Sequence, residues 1–263
     1  MRTVDQLSIQ DERAFRRVPL YAALKDLVRR DGYVFQVLPR SSARWNHALL
    51  LNLTYWGHEG GGDVLETERV PADVIAHAAL HHLAARAIRG PARGAPPVRP
   101  TSEALFFGES IASAFDAFLV GHLLSAAPRC AFLATQVPAM AAVARDAGAS
   151  AKRFGALLEA IARDPEGSFE SLRELLYDTS LALVAAPDAR AAHDALAGAA
   201  AHPFGPLLHR YELSSWVLYA RAYAARDAHQ TRRVGTFDET LRRTGSPLMW
   251  LSSALAGEGE HGV

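Results

Sequence analysis

A chain of 263 residues, 49% hydrophobic and 21% charged, has the composition of a globular protein and enough length for a sizeable buried core. Its 28 basic residues balance 28 acidic ones, which excludes a general electrostatic pull toward nucleic acid or anionic membrane. The single Cys130 excludes an internal disulfide and a cysteine-built zinc site, and a reducing cytoplasm is the expected setting.

The amino-terminal "MRTVDQLSIQDERAFRR" lacks the apolar core of a signal peptide, and no uninterrupted run approaches the ~20 apolar residues of a membrane span. Residues 9–31 carry apolar positions at helical spacing. "YVFQVLP" (33–39) and "HALLLNLTYW" (47–56) are short, β-branched and aromatic, and bounded by turn formers, so they are predicted strands. "GHEGGGDVLETERVPAD" is expected to be a loop or hairpin tip, with His58 and Glu59 in a solvated turn. Pro71 suits a helix's first turn, and the helix behind it runs to about Gly90.

The proline- and glycine-rich stretch 89–102 cannot hold regular structure. Thr101 or Ser102 can cap the next helix, "EALFFGESIASAFDAFLVGHLLSA". Beyond Pro128, helical patterns occupy 138–147, 150–163, 167–185, 188–200, 205–226 and 236–254. No repeat or linker divides the chain. The expected architecture is one mainly α domain over 1–263: a β-containing part to residue 70, two helices over 71–125, and a helical body over 126–263.

The chemistry lies on the two middle helices. "HAALH" sets His77 and His81 four residues apart, on one face about 6 Å from each other, a spacing that lets two imidazoles grip one metal ion. Glu109 on the next helix is the candidate third ligand. It shares a face with Ser113 and Asp116, while Phe106, Phe107, Phe115 and Phe118 supply apolar packing. Asp116, with Ser113 on the same face, can orient a ligand histidine from behind. His82 points away from the pair. A ferritin-like di-iron site is disfavoured, because it needs a Glu-x-x-His motif from each of two helices and the sequence offers that spacing only at Glu258 and His261.

This part resembles the gluzincin branch of zinc metallopeptidases, where H-E-x-x-H on one helix is completed by a glutamate on the next, in a segment read E-x-x-x-D. "HAALH" and "ESIASAFD" match both histidines and the glutamate; the resemblance covers about 55 residues and implies a zincin-like core. The chain departs from it twice. Ala78 stands where the general base belongs, and the acid comes at Asp116 with Ser113 in its expected place.

Ala78 bears on the reaction class. Zinc hydrolysis needs a group that takes a proton from metal-bound water, whereas dioxygen chemistry at non-haem Fe(II) needs two histidines and one carboxylate on one face of the metal. The "AHxxxHHLA" helix and the later glutamate are also similar to bacterial HExxH-type proteins that accompany ribosomally made peptides. Members of that family resemble 2-oxoglutarate-dependent peptide hydroxylases. The expectation is therefore an Fe(II) oxygenase acting on a peptide or small natural product, with 2-oxoglutarate as a candidate co-substrate. A zinc-binding zincin derivative and a non-catalytic helical interaction protein are the alternatives. An anion clamp is expected at Arg221, and hydrogen-bond donors at Tyr219 or His209, all on "LLHRYELSSWVLYARAYAAR".

Overall fold

The computed structural model describes residues 1–37, 54–55, 62–65, 67–89, 99–244 and 246–256. Among these residues, six short strands lie before residue 72: β1 (Arg2–Thr3), β2 (Ser8–Gln10), β3 (Val34–Val37), β4 (Thr54–Tyr55), β5 (Gly62–Leu65) and β6 (Arg69–Pro71). Four form a sheet in the order β1-β3-β5-β4. Its β1/β3 and β4/β5 pairs are antiparallel, and its β3/β5 pair is parallel with Gln36 opposite Val64. β2 and β6 pair separately in parallel, with Ile9 opposite Val70.

The expected helical pattern over 9–31 is broken in two. Its first residues belong to β2, and Asp11 and Leu20 take left-handed backbone at φ 56° and 67°. They precede α1 (Glu12–Phe15) and α2 (Tyr21–Arg30). Pro19 lies between the two; it has no N–H to give a helix and turns its predecessor away from helical backbone. The predicted strands at 33–39 and 47–56 correspond to β3 and β4, and 38–39, 47–53 and 56 of those stretches lie outside the described residues. So do His58 and Glu59 and the connector 90–98. Part of the expected loop is strand, since β5 and β6 come from it. Pro71 ends β6 rather than entering the helix, because a proline at a strand's end loses no needed donor.

Two antiparallel helices follow, α3 (Ala72–Arg89) and α4 (Ser102–Ala126). The Thr101 hydroxyl accepts from the Ala104 amide, so of the two candidate caps Thr101 is the one used. α4 is the central element. Phe106, Phe107, Phe115 and Phe118 are each no more than 1% exposed. By length and composition α4 also passes as a membrane span, contrary to the run-length expectation; its apolar 18-residue window has mean hydropathy 1.4, yet 83% of it is buried within the protein. A helix packed on nearly all sides reads that way.

The helical body comprises α5 (Ala131–Asp146), α6 (Ala151–Arg163), α7 (Pro165–Ala185), α8 (Ala189–Ala200), α9 (Arg210–Tyr223), α10 (Ala228–Arg243) and α11 (Pro247–Ala256). α5 begins seven residues before the predicted start and carries Pro138 in its interior. The single helix expected over 236–254 is two, separated just before Pro247. α7 and α10 are joined by Arg173, fully buried, which donates to Glu170 and Asp238; Arg242 then bonds both Asp238 and Asp178. One contiguous apolar core runs from Val4 and Phe15 in the amino-terminal part to Leu241 and Leu251 near the other end.

Candidate metal centre

The rotation of α3 decides where its histidines point. Ile75, Ala76, Ala79, Leu80 and Leu83 are buried, which leaves His77 and His81 on the partly exposed edge beside α4. His82, on another face, is held at Nε2 by an Asp31 carboxylate oxygen 2.8 Å away, with the Tyr33 ring edge-on at 5.1 Å. That contact ties α3 to the end of α2, as its direction away from the pair implied.

On α4, Gly108 lies in the crossing. A Cβ there would stand 3.5 Å from His81 Nδ1, so the ring lies close against the α4 backbone. Glu109 follows and turns its carboxylate to the pair. The His77 and His81 Nε2 atoms are 3.1 Å apart, and His81 Nε2 is 3.6 Å from Glu109 Oε2. One ligand atom from each of the three lies within 4.8 Å of the others. Atoms bound to one ion at ~2.1 Å are separated by about 3.0–3.4 Å, so the His77–His81 and His81–Glu109 distances are near those of an occupied site. His81 and Glu109 side chains keep 11% and 19% exposure, enough for an ion to enter.

Burial, with the neighbouring His81 imidazole adding to it, lowers His77 to about 3. At neutral pH His77 is an uncharged imidazole, the form that binds metal. Two imidazole nitrogens and a carboxylate around a shared point make a set that suits Fe(II), Zn(II) or another divalent ion.

The other predicted residues fall elsewhere. Asp116 is held well above the usual carboxylate range by burial first, and then by Asp73 and Glu212. Its charged neighbours are thus two acids, and among the described residues no hydrogen bond joins it to either histidine, so the expected orienting bond is not made. Ser113 shares its face of α4, between Glu109 and Asp116. Arg221 does not serve as a clamp here. Its Nη2 donates to the carbonyl oxygens of Leu183, Val184 and Ala186 and so caps the end of α7, where the helix runs out of amides to serve its last carbonyls. His209 likewise caps a helix: its Nδ1 accepts from the Glu212 amide at the start of α9. Tyr219 is half-buried, its ring 5.2 Å from that of Tyr223. Asp73 was missed by sequence reasoning, although it lies one turn before His77 on the same stripe of α3.

No family profile, curated protein or solved structure matches the chain.

Proposed function

We propose that His77, His81 and Glu109 bind a divalent metal, and that the protein is a non-haem Fe(II) oxygenase acting on a peptide or small natural product. The observation that carries this reading is the convergence of the three donor atoms within 4.8 Å, drawn from two helices that the core fixes against each other. Fe(II) held by two histidines and a carboxylate on one face supplies the binding and activation of dioxygen at its open positions.

The chain's own residues favour this class over zinc hydrolysis. Ala78 is 1% exposed and belongs to the apolar core, so the position of the general base offers only a methyl group facing inward. Asp116 stands two helical turns, about 10 Å, along α4 from Glu109, too far to take a proton from a water bound beside that carboxylate. His77 and His81 would hold the ion and Glu109 would neutralise one of its charges. A 2-oxoglutarate co-substrate would need a cation other than Arg221.

Metal analysis after anaerobic dialysis of the full chain against Fe(II) or Zn(II) tests the reading. One equivalent of bound Fe(II), lost in His77→Ala and Glu109→Ala, and dioxygen uptake that requires it, are the expected results. Zinc-dependent peptide hydrolysis would replace the oxygenase reading with a zincin one. No metal at all would leave a helical interaction protein.

A further inference from the structure

From Ala104 to Gly121, every residue of α4 is buried except three: Glu109, Ser113 and Asp116. Their spacing, i, i+4 and i+7, puts them on one line along the helix. That line is the part of α4 least covered by its packed neighbours, and α3 and α9 flank it.

α3 runs antiparallel on one side. His81 meets Glu109 at 3.6 Å, and two turns back along α3 Asp73 acts on Asp116. α9 runs antiparallel on the other side, where Glu212 also acts on Asp116, and the Ala225 amide beyond the helix end donates to the Pro100 carbonyl at 2.9 Å. With ~1.5 Å of rise per residue, those two ties bring Trp216 and Tyr219 abreast of Glu109. Both share the Glu212 face of α9, and both are only partly covered by the core. α3 and α9 each pack on α4 and scarcely on each other.

We propose that the gap between α3 and α9 is the substrate cleft, taking a peptide whose basic side chain is directed at Asp116 while an apolar or planar group rests on Trp216 and Tyr219. This rests on the metal reading of His77, His81 and Glu109. The occupant follows from charge complementarity. Asp73, Asp116 and Glu212 gather at one end, and among the described residues none of them is ion-paired with an arginine or lysine. A cation entering there relieves a repulsion that the protein leaves uncompensated. The aromatic stretch lies about 6–10 Å along α9 from Glu212, within the reach of one peptide residue and its neighbour. An indole and a phenol there offer flat faces for stacking without loss of backbone hydrogen bonds.

The test is fluorescence anisotropy of the full chain with a labelled short peptide containing lysine and phenylalanine, against its analogue with glutamate for lysine. The lysine peptide should bind at least roughly tenfold more tightly. Glu212→Gln and Asp116→Asn should each weaken it roughly three- to tenfold, and Trp216→Ala should weaken both peptides. Metal content should stay unchanged in all three variants. Glu212 is exposed, so its variant remains informative if Trp216→Ala does not fold. Equal affinity for the two peptides, no binding of the lysine peptide, or indifference to Glu212→Gln and Asp116→Asn would overturn the cleft. Absence of metal, with charge-dependent peptide binding intact, would overturn only the metal reading.

Discussion

The His77 and His81 Nε2 atoms lie 3.1 Å apart on adjacent turns of α3. Without a metal, one nitrogen must donate its proton to the other, which fixes one tautomer of each ring. A divalent ion replaces that single hydrogen bond with two coordinate bonds and draws in Glu109 as well. Metal should therefore stabilise the fold by mass action: an ion at ~100 times its Kd adds about 2.7 kcal/mol, or roughly 5–10 °C in Tm for a chain of this size. Thermal melts with and without Fe(II) or Zn(II) check this. His81→Ala should melt at the same temperature in both conditions.

Acid should weaken the fold partly through His77. Its pKa falls from 6.5 in the unfolded chain to about 3 in the folded one, mainly by burial. A group whose folded form resists protonation favours the native state fully above pH 6.5. Between pH 6.5 and about 3 the unfolded chain takes up a proton that the native protein does not, and stability falls by up to ~1.4 kcal/mol per pH unit. Urea melts of the metal-free protein across this window should show a slope that His77→Gln reduces by one proton. An unchanged slope would mean that His77 is solvated.

The sequence makes the metal-ligand geometry legible because it is local. Two histidines at i and i+4 share a face on any helix, and Thr101 announces where α4 begins. The unread parts depend on chain segments far apart. "GGGDVLE" looks like a turn because glycine weakens a strand, but pairing with β3 and β4 makes Gly62–Leu65 a strand. Arg221 looks like a free cation, since nothing in its neighbourhood reveals that the end of α7 arrives to use it. Asp73 looks like a first-turn acid, because only the antiparallel packing of α3 on α4 brings it to Asp116.

Ala78→Glu distinguishes the two metal chemistries. Position 78 is 1% exposed, so a larger, charged side chain there should cost roughly 1–3 kcal/mol through overpacking alone, seen as a lower Tm. No peptidase activity should appear, and metal-dependent dioxygen uptake should fall. Zinc-dependent hydrolysis in this variant would show that the missing base is all that separates the chain from a peptidase.

Arg173 is the fully buried cation between α7 and α10, donating to Glu170 and Asp238. Its replacement by alanine strands the Glu170 carboxylate and leaves a cavity, at a cost of about 3–5 kcal/mol. Chemical denaturation should show that loss. Arg242→Ala should cost much less, because that side chain is 30% exposed and its Asp178 partner is 57% exposed. Equal losses would mean that the network acts as one unit.

Asp116 gives the cleft a proton signature. Burial raises its pKa first, and Asp73 and Glu212 raise it further, each from its own helix; Asp11 in turn acts on Asp73. A neutral Asp116 makes a weak partner for a lysine side chain, whereas an ionised one makes a strong partner. Binding of a basic peptide should therefore drive the proton off, and affinity should rise with pH until Asp116 is ionised in the free protein as well. Calorimetry in two buffers of different ionisation enthalpy measures the released protons directly. Close to one proton should appear with wild type below the raised pKa, and almost none with Asp116→Asn, whose affinity should no longer depend on pH in that range. Proton uptake, or release that persists in Asp116→Asn, would locate the basic group away from this end of the cleft.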